Sequence, residues 1–459
     1  MSVTKKSTPR KTIDFPVINP NAAGCDVGAE WIYVAVPPDR ADDEVHHFRT
    51  FTQDLREAVS WLQSCGVTTI AMESTSVYWI PFTQLLEEAK IQVFLVNPRF
   101  VKNVPAAFKS DNHDSRWLRN LHAVGLLSTS FRPEQSVCKV RSIARHRDNL
   151  IKQGTRCVLH MQKALSQMNI LVHEVISDIT GVSGLAILDA ILAGERSPEH
   201  LLRLCDGRIK ATEEDIKKAL VGDWREEHLF TPRQSLASWR HFRMQIAECE
   251  AEISRLMSDF EGPGGTEPPE DPPPSGRRKA GVKIRSRAEE HAKRNQLTAI
   301  FGVDITKIPG VGVGCAELFF TEIGLDLTRF PSADHFASYL GVTPDNRESG
   351  GKILSHKTRP TKNRLATQLR ISANTLTRND TYLGAYLRKM KSRLGAPKGI
   401  TATAHKLSII LYTIVTRKTP YDESVFVRQE ERHRERRLNY LKQQAADFGF
   451  DFVPRQSVS

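Results

Sequence analysis

Residues 262–276 read GPGGTEPPEDPPPSG, in which ten of fifteen positions are proline or glycine. Proline withholds a backbone donor and glycine resists ordering, so this stretch can join neither a helix nor a sheet. A chain of 459 residues is also too long for one ordinary core, so two or three domains are expected. We read 262–294 as a linker. It ends in a basic patch of Arg277, Arg278, Lys279, Lys283, Arg285 and Arg287.

Ahead of that linker, residues 1–20 read as a disordered basic arm. Short runs rich in apolar and β-branched residues follow at 22–27, 31–36 and 44–51, broken at Gly28 and at Pro37-Pro38. Then come a helical pattern at 53–64, a strand pattern at 68–72, a helix at 78–89 and a strand at 92–96. Three strands followed by helix–strand–helix–strand predict an α/β domain with a mixed sheet over 21–132. This is the element order of RNase H-like folds. A further helix is predicted over 111–127, with Trp117, Leu118, Leu121, Val124 and Leu127 as its apolar stripe. Asp111 suits its N-cap, and Asp114 stands beside it, three residues on.

Residues 133–261 form a helical region. Over 137–180 apolar residues step by three and four from Val140 to Val175, with Arg147 and Gly154 as weak points in the seam. A second seam runs through Trp239, Phe242, Ile246, Cys249, Ile253, Leu256 and Phe260. With a shorter helical segment at about 184–222 between them, the two fit an antiparallel coiled-coil hairpin, half of an intermolecular one, or an ordinary helical bundle. After the linker, 295–420 reads as a mostly helical domain and 421–459 as a charged helical tail. In that domain Ile308-Pro309-Gly310-Val311-Gly312 joins two helical stretches. It is similar to the turn of helix-hairpin-helix modules, where backbone N–H groups left open by glycine hold a DNA phosphate.

Charge narrows the partners. The chain carries +12, yet Lys352 to Lys418 alone holds 15 Lys and Arg against one acid, Asp380. A polyanion is the expected partner of that region. The seven cysteines include no CxxC pair, which argues against a disulfide framework or a structural zinc site and fits a reducing cytoplasm. No apolar run approaches the ~20 residues of a membrane-spanning helix, and no apolar segment follows the basic N-terminus. We expect a cytoplasmic, nucleoid-associated protein with no membrane partner.

Two constellations carry chemistry. Asp26 and Glu73 end the first and fourth strands, and Asp111 and Asp114 open a late helix. In an RNase H-like sheet these four meet at one edge. Clustered carboxylates need a counter-ion, and hard oxygen donors select Mg²⁺ or Mn²⁺. The second constellation is Arg347-Glu348-Ser349-Gly350-Gly351-Lys352. Ser349 is either a nucleophile or a turn residue beside two glycines. Gly350 and Gly351 let backbone approach a phosphate closely, and Lys352, Lys357, Arg359, Lys362 and Arg364 supply neutralising charge.

Together these segments resemble the DEDD transposases of bacterial insertion sequences, the bridge-RNA-guided recombinases. The resemblance rests on Gly24-Cys25-Asp26-Val27-Gly28, Met72-Glu73-Ser74-Thr75, Lys109-Ser110-Asp111 with Asp114, Ile308-Pro309-Gly310-Val311-Gly312, Tyr339-Leu340-Gly341-Val342-Thr343-Pro344 and Ser349-Gly350-Gly351-Lys352. It implies a RuvC-like N-terminal domain, a coiled-coil middle and a C-terminal transposase domain. It makes Asp26, Glu73, Asp111 and Asp114 the metal-binding tetrad and Ser349 the nucleophile of a covalent phosphoserine intermediate. It also implies donor and target DNA, a structured guide RNA, and a homo-oligomer, dimer or tetramer. Where many relatives carry a Lys-Arg-Gly-Asn-type segment, this chain reads Arg359-Pro360-Thr361-Lys362-Asn363-Arg364. Two other readings stand beside it. A RuvC-like junction nuclease would use metal-activated water and no serine, and a non-catalytic nucleic-acid-binding protein would need only the basic half.

Overall fold

The computed structural model describes residues 16–74, 76–97, 111–260 and 285–450. The basic arm up to residue 15, the segment around Lys109-Ser110, the prolines of 262–276 and most of the basic patch after them lie outside the described residues. The chain divides after Arg132 into two compact units.

The first unit is a five-stranded sheet of order β3-β2-β1-β4-β5. Its strands are β1 (Ala22–Val27), β2 (Trp31–Ala35), β3 (Val45–Arg49), β4 (Thr69–Glu73) and β5 (Gln92–Val96). β1–β2 and β2–β3 pair antiparallel, while β1–β4 and β4–β5 pair parallel. Alternation decides which face is which. Ala23, Cys25, Val27, Ile32, Val34, Ile70 and Met72 point into a core roofed by α1 (Thr52–Ser64) and α2 (Trp79–Glu88).

The opposite face takes α3 (Asp111–Ala123). A Cβ on Gly24 would stand 2.3 Å from the Ser115 carbonyl oxygen and from the Arg119 nitrogen, so helix backbone lies directly on strand β1. Only glycine permits that approach. A Gly24→Ala chain must push α3 off the sheet. We expect a loss on the order of 3 kcal/mol, measured by unfolding of the full chain. α3 ends sooner than the predicted 127, because Gly125 turns left-handed (φ 71°) and Leu126 N–H donates back to Leu121 O at 2.9 Å.

At the far end of α3, buried His122 sits 2.9 Å through Nε2 from the Thr69 hydroxyl. Burial lowers its pKa to about 4. Between pH 6.5 and 4 the unfolded chain binds a proton that the folded chain refuses, so stability from this site falls as pH drops through that window. The loss between pH 7 and pH 5 should be roughly 2 kcal/mol, and His122→Gln should shrink it in melts at the two pH values.

The second unit is helical. α4 (Gln135–Gln167) and α9 (Glu226–Ser258) are 33-residue helices. Arg147 of α4 meets Glu250 of α9, while Gly154 lies against Trp239 and Phe242, so the two run antiparallel within one chain. Between them α5 (Val172–Val175), α6 (Val182–Leu192), α7 (Pro198–Leu202) and α8 (Glu213–Ala219) close an apolar knot around Met161, Leu165, Ile187 and Leu236. The helix predicted to reach 180 stops at Gln167. Asn169 goes left-handed (φ 54°), and Ile170 N–H returns to Leu165 O at 2.9 Å.

The remaining helices are α10 (Arg287–Phe301), α11 (Val313–Ile323), α12 (Ala333–Leu340), α13 (Arg364–Thr375), α14 (Tyr382–Leu394), α15 (Ala396–Arg417) and α16 (Ser424–Asp447). α10 begins eight residues before the expected boundary at 295, started by a Ser286/Glu289 capping box. Phe301, Phe319, Phe320 and Phe336 are fully buried at the centre of this helical body.

Arg147, weak as a coiled-coil seam residue, proves to be an ion-pair centre. It reaches Glu250 (2.8 Å) and the buried Glu317 of α11 (3.0 Å), and Arg285 reaches the same two acids (2.6 and 2.7 Å). Nearby, Arg141, Arg145 and Arg364 converge on Glu322. The long helices and the helices after the linker are thus tied together by charge. Among the described residues no helix is long and apolar enough to cross a membrane.

Candidate active site

Asp26 and Glu73 leave the sheet at the same place. β1 and β4 are adjacent and parallel, and the register Cys25↔Met72 puts Asp26 and Glu73 side by side at their carboxyl ends. Both belong to the α3 face, since Gly24 and Ala71, two residues earlier, face that way. α3 runs antiparallel to β1. His122 lies at the Thr69 level and Ser115 and Arg119 at the Gly24 level, so the N-terminal turn with Asp111 and Asp114 is at the Asp26 end. The backbone thereby brings all four predicted acids to one edge.

Asp26, Glu73 and Asp114 are half-buried there. Burial pushes the adjacent Cys25 thiol up, and the Asp26 charge pushes it further, so the thiol stays protonated. The side chain of Asp111 is outside the described residues, and among the described residues no three His, Cys, Asp or Glu groups close into a set that could hold a metal ion. The backbone and the hard-oxygen chemistry of the donors suit a divalent cation.

In the second unit Ser349 stands at a hairpin tip. β6 (Arg347–Ser349) and β7 (Lys352–Ser355) pair antiparallel, with Ser349 opposite Lys352. The predicted loop is a two-residue turn because Gly350 and Gly351 both take positive φ, 57° and 75°. Nothing would meet a Cβ at either glycine, and Ser349, Gly350, Gly351 and Lys352 are exposed. The hairpin is braced at its base by Asp345 N–H donating to Lys357 O (3.0 Å) and by a 2.9 Å contact between His356 and Asn346. Lys357 and Lys362 are exposed beside it.

The other cations differ. Arg359 donates to the Ser338 carbonyl at the end of α12 (3.1 Å) while remaining exposed. Arg364 caps nothing outward: its guanidinium is engaged by Asp148 and Glu322. Of the predicted hairpin glycines, Gly310 is left-handed (φ 86°) and its missing Cβ would stand 3.0 Å from the Ser372 carbonyl. Gly310 is therefore accounted for by packing on α13. Gly312 is exposed, caps α11, and has open space where a Cβ would be. The stretch before this turn is a single 3-10 turn (Ile305–Lys307) rather than a full helix.

A family model of DEDD transposases of the IS110 type, described as a transposase, matches residues 23–170, and a second, described as the IS116/IS110/IS902 transposase family, matches residues 304–386. The chain belongs to the IS110 family of transposases. The first match takes in Asp26, Glu73, Asp111 and Asp114, and the second Gly310, Gly312 and Ser349. The chain is also similar to an insertion element IS110 uncharacterized 43.6 kDa protein of Streptomyces coelicolor, 45% identical over 49 residues. That alignment covers 11% of this chain and 12% of the relative. One further group stands at the acidic edge. Tyr33 is the register partner of Asp26, and Trp31 and Tyr33 alternate with the buried Ile32 and Val34. That period of two was the available signal.

Proposed function

We propose that this chain cuts and rejoins DNA through a covalent intermediate on Ser349, assisted by the acids of the first unit. The first unit acts as a RuvC-like domain, a reading supported by its sheet order with β2 alone antiparallel to β1 at the centre. The long antiparallel pair acts as a coiled-coil hairpin. The observation that carries the proposal is Ser349 itself: an exposed hydroxyl beside two left-handed glycines, in a region of exposed lysines.

In the step proposed, Ser349 Oγ attacks a DNA phosphorus in line. The bond from phosphorus to one sugar oxygen breaks as the Oγ–phosphorus bond forms. The hydroxyl proton ends on the departing sugar oxygen, and the phosphate stays esterified to the protein. Attack by a DNA hydroxyl on that phosphoserine reverses the exchange with a new strand, so no phosphodiester is lost and no nucleotide is consumed. Gly350 and Gly351 open the approach, and Lys352, Lys357 and Lys362 with Arg359 neutralise the phosphates flanking the attack. Gly312 presents α11 backbone donors to a DNA phosphate, while Arg364 serves the internal ion pairs. Asp26, Glu73, Asp111 and Asp114 would hold Mg²⁺ or Mn²⁺, whose chemistry is to stabilise charge on reacting phosphate oxygens. Donor and target DNA are the substrates, a structured guide RNA is the specificity partner, and the chain works as a dimer or tetramer.

The test is to incubate the full chain and copurifying RNA with end-labelled donor DNA, denature, and digest. A labelled peptide carrying nucleotide on Ser349 is expected. Cleaved DNA with no protein-bound label would sink the proposal and favour a nuclease that uses water; no cleavage at all would leave a binding protein.

A further inference from the structure

We infer that the outer strands of the first unit form a stacking platform for the unpaired bases of single-stranded DNA, next to the acidic edge. This rests on the DNA-processing reading above, which supplies the strand.

On the face that α3 packs against, the row Gly24–Ala35–Val45 is buried at all three positions. The next row across the sheet is Asp26–Tyr33–His47, and the row beyond it on the same face holds Trp31 and Arg49. There the burial stops. Tyr33 is half-buried, His47 and Arg49 are exposed, and Trp31 is 38% exposed. Trp31 and His47 rings lie 5.2 Å apart, and Tyr33 and His47 stack at 5.8 Å with 29° between planes. The Arg49 guanidinium lies 5.6 Å from the Trp31 ring and 4.8 Å from Phe51, itself 61% exposed. Rings and a guanidinium plane thus form one continuous open surface. Its first row contains Asp26.

The occupant follows from chemistry. Bases stack on aromatic rings and on arginine planes regardless of sequence. A strand running along the acidic edge brings a base over Tyr33 and His47, and same-face residues recur about every 6.8 Å along a β-strand, so Trp31 meets the next. Residues 16–132 carry 10 Lys and Arg against 13 Asp and Glu. With no excess of cations on this unit, stacking supplies the attraction that phosphate pairing would otherwise give. A rigid duplex keeps its bases paired and has no free ring faces to offer along a strand.

The experiment uses the full chain and a single-stranded DNA 20-mer carrying 5-iodouracil, with the duplex and an RNA 20-mer of the same sequence as comparison arms, at a salt concentration that weakens phosphate contacts. Photocrosslinks to the single DNA strand are expected on the peptide spanning residues 31–51. Trp31→Ala with Phe51→Ala should lower single-strand affinity about 10-fold or more and change duplex affinity less than twofold. Single substitutions Phe51→Ala and Arg49→Gln, both at exposed positions, guard against a folding defect and should each give a partial loss with an unchanged melting temperature. Crosslinks confined to the second unit, or unchanged single-strand affinity in folded variants, overturn the platform. A tenfold preference for the RNA strand overturns its assignment to DNA, and capture of a second protein chain with no crosslink overturns the nucleic-acid reading. Ser349 adduct formation is scored in parallel on the full chain with its copurifying RNA and end-labelled donor DNA. Its absence in the parent chain defeats the transposition reading while the crosslink still decides the platform.

Discussion

A Ser349→Ala chain should form no covalent DNA adduct, and strand exchange should fall by roughly four orders of magnitude or more. The change removes one oxygen from an exposed hairpin tip. No apolar core lies under it, so stability should stay within about 0.5 kcal/mol of the parent. DNA binding should also persist, because Lys352, Lys357 and Lys362 are untouched. That combination separates chemistry from binding. A lysine in the same region would do the reverse, weakening binding and flattening its salt dependence while leaving an adduct at saturating DNA. If Ser349→Ala retains more than about a tenth of parental exchange, the hydroxyl is a turn residue. The acids give an independent check, since Asp26→Asn should suppress the same reaction from the other unit, with Ser349 intact.

Much of the first unit was readable because each element has its own local code. Short runs rich in apolar and β-branched residues mark β1, β2 and β4, and Asp26 and Glu73 stand at the carboxyl ends of β1 and β4. What could not be read was how close α3 comes to the sheet. That depends on one missing methyl group at Gly24 meeting helix backbone 91 to 95 residues later in the chain, a contact with no local signature. The Ser349 hairpin was legible in principle, since two consecutive glycines between extended residues favour a two-residue turn. Strands of three and four residues are too short to show periodicity. The end of α4 was missed for a related reason. Apolar spacing continues past Met168, but the Asn169 backbone does not, and a left-handed asparagine overrides a hydrophobic pattern. Arg364 reads as one more cation in a basic run. Only the fold reveals Asp148 and Glu322 against it.

Removing the Glu317 carboxylate should cost about 3–5 kcal/mol. Glu317 is 2% exposed and accepts hydrogen bonds from Arg147 and Arg285, the latter at 2.7 and 2.8 Å. Burial alone would raise its pKa. The charges of Arg147, Arg285 and Lys293 outweigh burial and hold it below the ordinary carboxylate range. Its contribution is therefore complete above the unfolded pKa near 4.5 and is lost only as pH falls through the lower folded value. Glu317→Gln keeps the shape and removes the charge, leaving two guanidiniums to share Glu250, with Asp148 beside Arg147. The cost is that of buried cations left short of an anion, so it should shrink when Arg147→Met is added, and a double-mutant cycle measures the coupling. The consequence reaches function because of where Glu317 sits. It lies on α11, the helix that Gly312 caps, and it joins that helix to α4 and α9. Arg364, on the helix following the Ser349 hairpin, bridges α4 and α11 in the same way through Asp148 and Glu322. A Glu317→Gln chain should thus lose DNA binding along with stability. A chain destabilised equally by a cavity elsewhere, such as Met161→Ala in the apolar knot, should keep its affinity while it remains folded. Equal affinities in the two variants would mean that the ion pairs hold the helices together without positioning the DNA-facing surface.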